Sequence, residues 1–116
     1  MTPLDHLRKI CLALPDTHEK RSHGAPSFFN SGGQFVMFAN NHHGDGRVAA
    51  WVAQPPGAQE ALLESNPKHF FRPPYVGPRG WVGINLNTGL AWGAVAAIIA
   101  EGHSFVAARK KQRRTK

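Results

Sequence analysis

The chain has 116 residues, 41% of them hydrophobic, with a single cysteine and a formal net charge of +7. That length and apolar content suit one domain with its own core, and a lone cysteine, Cys11, excludes an internal disulfide and fits a reducing cytoplasm. The charge is concentrated at one end: Arg109, Lys110, Lys111, Arg113, Arg114 and Lys116 fall in the last eight positions, while residues 1–108 hold eight bases against all seven acids, a net of +1.

The first residues carry charge where a secretion leader needs an apolar run. The longest apolar stretch, Leu90 to Ala100, is well short of the roughly 20 residues that span a bilayer. The expectation is a cytoplasmic monomer with no membrane segment, one domain over residues 1–108 and a basic tail over 109–116.

In chain order, Leu4, Leu7, Ile10, Cys11 and Leu14 share one face at helical spacing, so a helix is expected from Pro3 to Leu14. Pro3 suits its first turn, Asp5 favours the positive end of its dipole, and Pro15 stops it. Asp16 to Ala25 is polar and reads as a connection. Pro26 biases Ala25 to an extended backbone, so the sheet is expected to begin near Ser27. Ser27 to Asn30 and Gln34 to Asn40 flank Ser31-Gly-Gly33, a hairpin signal. Strict alternation puts Phe35, Met37 and Ala39 on one face and Val36 and Phe38 on the other.

Asn40 to Gly46 reads as a long turn and Arg47 to Ala53 as the third strand. After Pro55-Pro56, Gly57 to Ser65 reads as a short helix with Ala58, Ala61 and Leu62 inward. His69 to Arg72 and Trp81 to Asn87 are expected strands separated by the turn-rich excursion Pro73 to Gly80. Trp92, Val95, Ile99, Gly102 and Val106 form the apolar stripe of a helix from Ala91 to Ala107. The order is α-β3-α-β2-α, an α+β two-layer sandwich with helices packed on one face of an antiparallel sheet.

Two segments, Ser22-His-Gly-Ala-Pro-Ser-Phe28 and Pro74-Tyr-Val-Gly-Pro-Arg-Gly-Trp-Val-Gly83, together resemble the MmcQ/YjbR family. The resemblance extends through Trp51, Pro56-Gly57, Phe70-Phe71 and Trp92, over residues 2–107. It implies the sandwich fold of secretion chaperones and a description as DNA-binding proteins with a double-wing arrangement.

Tyr75 to Trp81 is the candidate site. Arg79 offers a forked guanidinium, and Tyr75 and Trp81 offer stacking faces for bases; the same residues also fit a loop whose aromatics anchor it to the core. Lys68, His69 and Arg72 lie upstream as candidate phosphate contacts, or as an ordinary solvated set. The run from Arg109 to Lys116 has the composition of a nucleic-acid contact arm, or of a solubilising extension.

His42, His43 and Asp45 read as a turn rather than metal ligands, and His18, Glu19 and His23 have no enforcing spacing. Nucleophile-elbow and phosphate-loop patterns are absent, and Cys11 falls on an apolar helix face. No cofactor, metal or catalytic residue is expected. The leading expectation is a non-enzymatic nucleic-acid-binding protein, with DNA as partner. The alternative is an adaptor for a protein or small ligand, using the open sheet face or the Pro73 to Gly80 loop.

Overall fold

The computed structural model describes residues 1–114, with side chains through Arg109; the expected contact side chains of Lys110, Lys111, Arg113, Arg114 and Lys116 lie outside the described residues. Helix α1 (Pro3–Leu12) starts where the sequence places it. The Thr2 hydroxyl accepts from the Asp5 N–H at 3.1 Å, and the Asp5 carboxylate accepts from the Thr2 N–H at 2.9 Å, a reciprocal cap for two otherwise unpaired donors. Thr2, through its backbone N–H and then its hydroxyl, holds the Asp5 carboxyl below the usual range. The inner face buries Leu7 and Cys11. Burial, with a smaller contribution from the Glu19 charge, pushes the Cys11 thiol up to about 12, so it stays protonated and inert near neutral pH.

The next segment departs from expectation. Residues read as a polar connection form strand β1 (His18–Ser22), paired antiparallel with β2 (Ala25–Asn30). The two-residue turn between them is His23-Gly24, with left-handed φ of 53° and 78° as a tight hairpin requires. His-Glu-Lys-Arg-Ser has no apolar alternation because β1 is an outer strand. Its link to α1 is polar: Arg8 Nε donates to Glu19 Oε1 at 2.8 Å.

Strands β3 (Gly33–Asn40) and β4 (Val48–Val52), helix α2 (Ala58–Ser65), strands β5 (Phe70–Phe71) and β6 (Val82–Asn85), and helix α3 (Trp92–Arg114) complete the fold. All six strands are antiparallel to their neighbours, in the order β1-β2-β3-β4-β6-β5. The chain is therefore α+β as expected, with one strand more in its first half than the apolar runs indicate.

Strict alternation in β3 fails at Phe35. Phe28 pairs with Val36 and Phe29 with Gln34, so Phe35 is the extra residue of a bulge. Instead of sharing a face with Met37, Phe35 turns toward α3, where its ring meets His103 edge-on at 5.0 Å. Met37 stays on the other face, opposite Trp51 of β4.

Helix α3 crosses β2, β3 and β4 on one face and packs against α1. Val95, Ile98, Ile99 and Val106 are buried there with Phe28, Phe35, Val36 and Val52. The approach is close enough to require glycine. A Cβ on Gly32 would collide with the Val106 carbonyl, and one on Gly102 with the Ala53 carbonyl. Asn30 secures the same spot: its Nδ2 donates to the His103 carbonyl at 2.9 Å and its Oδ1 accepts from the Gly32 N–H at 2.8 Å.

Two helices differ from the expectation in detail. In α2 the inward residue is Gln59, with Leu62 and Leu63 half-buried, whereas Ala61 is exposed. The surface under α2 presents loop carbonyls, which an amide fits and an alanine does not. Helix α3 continues past Ala107 to Arg114, since no glycine, proline or other stop signal intervenes. Among the described residues no helix is long and apolar enough to cross a membrane.

Gly32→Ala is expected to destabilise the fold by about 2 kcal/mol or more, because the atom it meets belongs to backbone that cannot rotate away. Urea denaturation measures this, and an unchanged midpoint would contradict the close approach.

Candidate functional site

With α1 and α3 on one face, the other face of the sheet carries Met37 and Trp51 at its centre. Two loops fold over them. One is Asn41–Arg47, which contains a single 3-10 turn at His42–Gly44; the other runs from Arg72 to Trp81, with a 3-10 turn at Gly77–Arg79. Between loops and sheet lies a cavity of about 510 Å³. Met37, Trp51 and Gln34 form its floor, Tyr75, Val76, Arg79 and Trp81 one wall, and His23, His42 and His43 the other.

Each loop is held by specific bonds. Asn41 Oδ1 accepts from the Gly46 N–H at 2.8 Å, and Asp45 Oδ1 from the Arg47 N–H at 2.9 Å, closing the histidine loop on itself. The buried Gln59 amide of α2 donates to the Gly77 carbonyl at 2.9 Å and also to the Trp81 carbonyl. Gln59 thereby fixes both ends of the segment that carries Arg79.

The lining is aromatic and basic. His42 packs edge-on against Trp51 with ring centroids 4.8 Å apart, and His43 Nε2 lies 3.1 Å from the Tyr75 hydroxyl across the mouth. Trp51 Nε1 and His42 Nε2 are buried and find no hydrogen-bond partner among the described residues. Unpaired buried polar atoms are uncommon, and a ligand acceptor is one way to satisfy a donor. His23, His43 and Tyr75 all have left-handed φ, of 53°, 51° and 64°, an arrangement that costs on the order of 1 kcal/mol or more at each non-glycine residue. Three such residues border one cavity.

The residues singled out from sequence divide into two groups. Tyr75, Arg79 and Trp81 meet at the cavity, with the Arg79 guanidinium 5.7 Å from the centre of the Trp81 ring. Tyr75 is 70% exposed, whereas Trp81 is 4% exposed and presents its ring as a wall rather than as an open platform. Lys68 and Arg72 do not line this cavity. The Lys68 N–H donates to Asn66 Oδ1 at 3.0 Å and its carbonyl accepts from Asn85 Nδ2, while the Arg72 stem lies over Gly77. Arg109 sits on α3 with its guanidinium 5.9 Å from the Phe105 ring centre.

The residues missed from sequence are Trp51, Met37, Gln34 and the three histidines. The signal available for Trp51 was a large aromatic inside an apolar strand, which does not say which face it occupies. The sequence marks His42 and His43 as a turn, which they form, and the turn also brings His42 against Trp51. Among the described residues, no three of His, Cys, Asp and Glu come together as a metal site would need.

The sequence model of the YjbR family matches residues 12–105. This chain belongs to the YjbR family. The YjbR fold recurs in the crystal structure of the Deinococcus radiodurans protein DR2400, described by the domain DUF419. That structure superposes with a TM-score of 0.72 at 17% sequence identity, over 90% of this chain and 80% of that one. At this identity the likeness speaks for the fold alone. No curated protein matches the chain by sequence.

Gln59→Leu removes the donor that holds both loop carbonyls. The expected loss is about 1–3 kcal/mol in chemical denaturation, together with a shift in the tryptophan emission as Trp81 is released. Unchanged emission and stability would show that the loop is held by other means.

Proposed function

We propose that this YjbR-family chain is a non-enzymatic binding protein whose site is the cavity between Trp51 and Tyr75, and that it takes a small, flat, aromatic ligand group. The single observation that carries this reading is the cavity itself: about 510 Å³ on the open sheet face, walled by one tyrosine, two tryptophans and three histidines. Small-molecule sites are typically concave and mostly apolar, with a few placed polar groups, and cavities of several hundred cubic ångströms are the usual size. Aromatic walls gain from a planar guest by offset or edge-on stacking. The left-handed backbone of Tyr75, at the mouth of the cavity, supports the same reading, since non-glycine residues in that region cluster at ligand-binding positions. On this reading the chain acts as a monomer in the cytoplasm, where the buried Cys11 thiol stays reduced.

The test uses 2-naphthamide, a neutral planar probe, followed by tryptophan fluorescence and by NMR of the indole N–H signals. Saturable binding that perturbs Trp51 and Trp81 is expected. Tyr75→Gly should weaken it about tenfold, or about 1.4 kcal/mol, with stability unchanged within about 1 kcal/mol because glycine accepts the left-handed φ. Absence of saturable binding, or binding that leaves both indole signals unmoved, would rule the cavity out.

A second reading, DNA binding with the double-wing arrangement that family resemblance suggests, is favoured by a different observation. The backbone of α3 carries the basic run from Arg109 as helix as far as Arg114, so the charges of the sequence follow one continuous element. Phosphate contact by such a run is independent of base sequence and strongly salt-dependent. Replacing Arg109, Lys110, Lys111, Arg113, Arg114 and Lys116 together by glutamine should lower the salt slope of DNA affinity by up to about 5, at roughly 0.9 per phosphate neutralised. An unchanged slope would remove the basic run from the contact.

A further inference from the structure

The open face holds a second cavity. Strands β2 and β3 pair as far as Ser27 and Met37, and there the ladder stops. The next residue of β2 is Pro26, which has no N–H to offer. Beyond it the β1–β2 hairpin and the end of β3 bound a cleft of about 320 Å³, with the edge of Phe38–Asn40 outside the β2 ladder. This cleft adjoins the aromatic cavity: His23, Met37 and His42 line both.

The two compartments differ in chemistry. The larger is walled by rings. The smaller is bounded by strand and turn backbone and by Arg21, whose Nη2 donates to the Gly24 carbonyl at 2.7 Å, a bond that ties the guanidinium to the hairpin turn. A guanidinium has five N–H donors in a planar fork suited to carboxylate and phosphate, so a tethered arginine still has donors to present. Across the linings of both cavities there are two arginines, Arg21 and Arg79, three histidines and no carboxylate. The body of the chain is close to neutral, so this is a local sorting of charge and not a reflection of overall basicity. A concavity whose charged lining is of one sign favours a ligand of the opposite sign.

We infer that the ligand of this site is an aromatic anion, its flat ring in the cavity over Trp51 and its carboxylate or phosphate in the cleft beside Arg21. The inference rests on the reading of the larger cavity as a binding site and adds the charge and layout of what binds. It also assigns a role to His23, which lines both compartments at their junction with Met37 and His42.

The experiment compares charged and neutral twins of one ring system on the full chain: 2-naphthoate against 2-naphthamide, and 2-naphthyl phosphate against 2-naphthol. Tryptophan fluorescence and indole N–H shifts serve as readouts. At low salt at least one anion should bind about tenfold more tightly than its neutral twin, and the anion with the larger gain names the headgroup. Arg21→Gln should remove most of the anion's advantage and bring the twins within about twofold of each other. Arg21 is exposed at the hairpin end, so the variant is expected to fold, and a urea midpoint within about 1 kcal/mol of the parent's reports that it has. Equal affinities for charged and neutral twins in the parent chain would overturn the inference and leave the cavity reading intact. So would an anion advantage that survives Arg21→Gln. Failure of all four probes to bind would overturn the cavity reading and, with it, this one.

Discussion

Helix α3 lies so close to the sheet that backbone meets backbone at Gly32 and Gly102, with the Asn30 amide bridging the gap to the His103 carbonyl. That contact determines what each face of the sheet is for. Phe28, Phe35, Val36 and Val52 are committed to α3 and buried beneath it. Met37 and Trp51, at the sheet centre, belong to the other face, which α1 and α3 leave uncovered. Trp51 is still only 2% exposed, because two loops supply the cover that a helix supplies elsewhere.

A loop roof has consequences that a helix roof does not. A packed helix excludes solvent along its whole length, whereas the His42–Gly44 turn and the Arg72–Trp81 loop meet through the His43 and Tyr75 side chains and leave a chamber beneath. The chamber persists because each turn is braced independently, one by Asn41 and Asp45 within its own loop and the other by Gln59 from α2. Buried polar side chains at such positions fix geometry more than they add stability. The unpaired nitrogens of Trp51 and His42 fit the same pattern of a site arranged for something other than maximal packing.

Much of the architecture was legible in the sequence because it depends on local periodicity. The stripe of α1, the stripe of α3, the apolar strand runs and the hairpin at Ser31 to Gly33 all appear in the structure within a few residues of where periodicity puts them. What was not legible depended on position in the assembled sheet. Phe35 obeys alternation in sequence and breaks it in space, since a bulge is set by the partner strand. Gln59 gave no hint of burial, because its partners are carbonyls 18 and 22 residues away. Tyr75, Arg79 and Trp81 were recognised as a group from the loop that holds them, but the floor beneath them comes from β3 and β4 and the facing wall from His42 and His43, which no local pattern connects. Lys68 and Arg72, close to those residues in sequence, are not part of the cavity lining.

Strand β1 was the hardest element to read, and the reason bears on the chain's life in a crowded solution. A six-stranded open sheet has two exposed borders, each a row of backbone groups ready to recruit another strand. One border is β5, only two residues long. The other is β1, whose Glu19, Lys20 and Arg21 place charges along the middle of the edge. A second strand docking there would have to bury or displace those charges, so the composition that gives β1 no apolar alternation also works against edge-to-edge pairing.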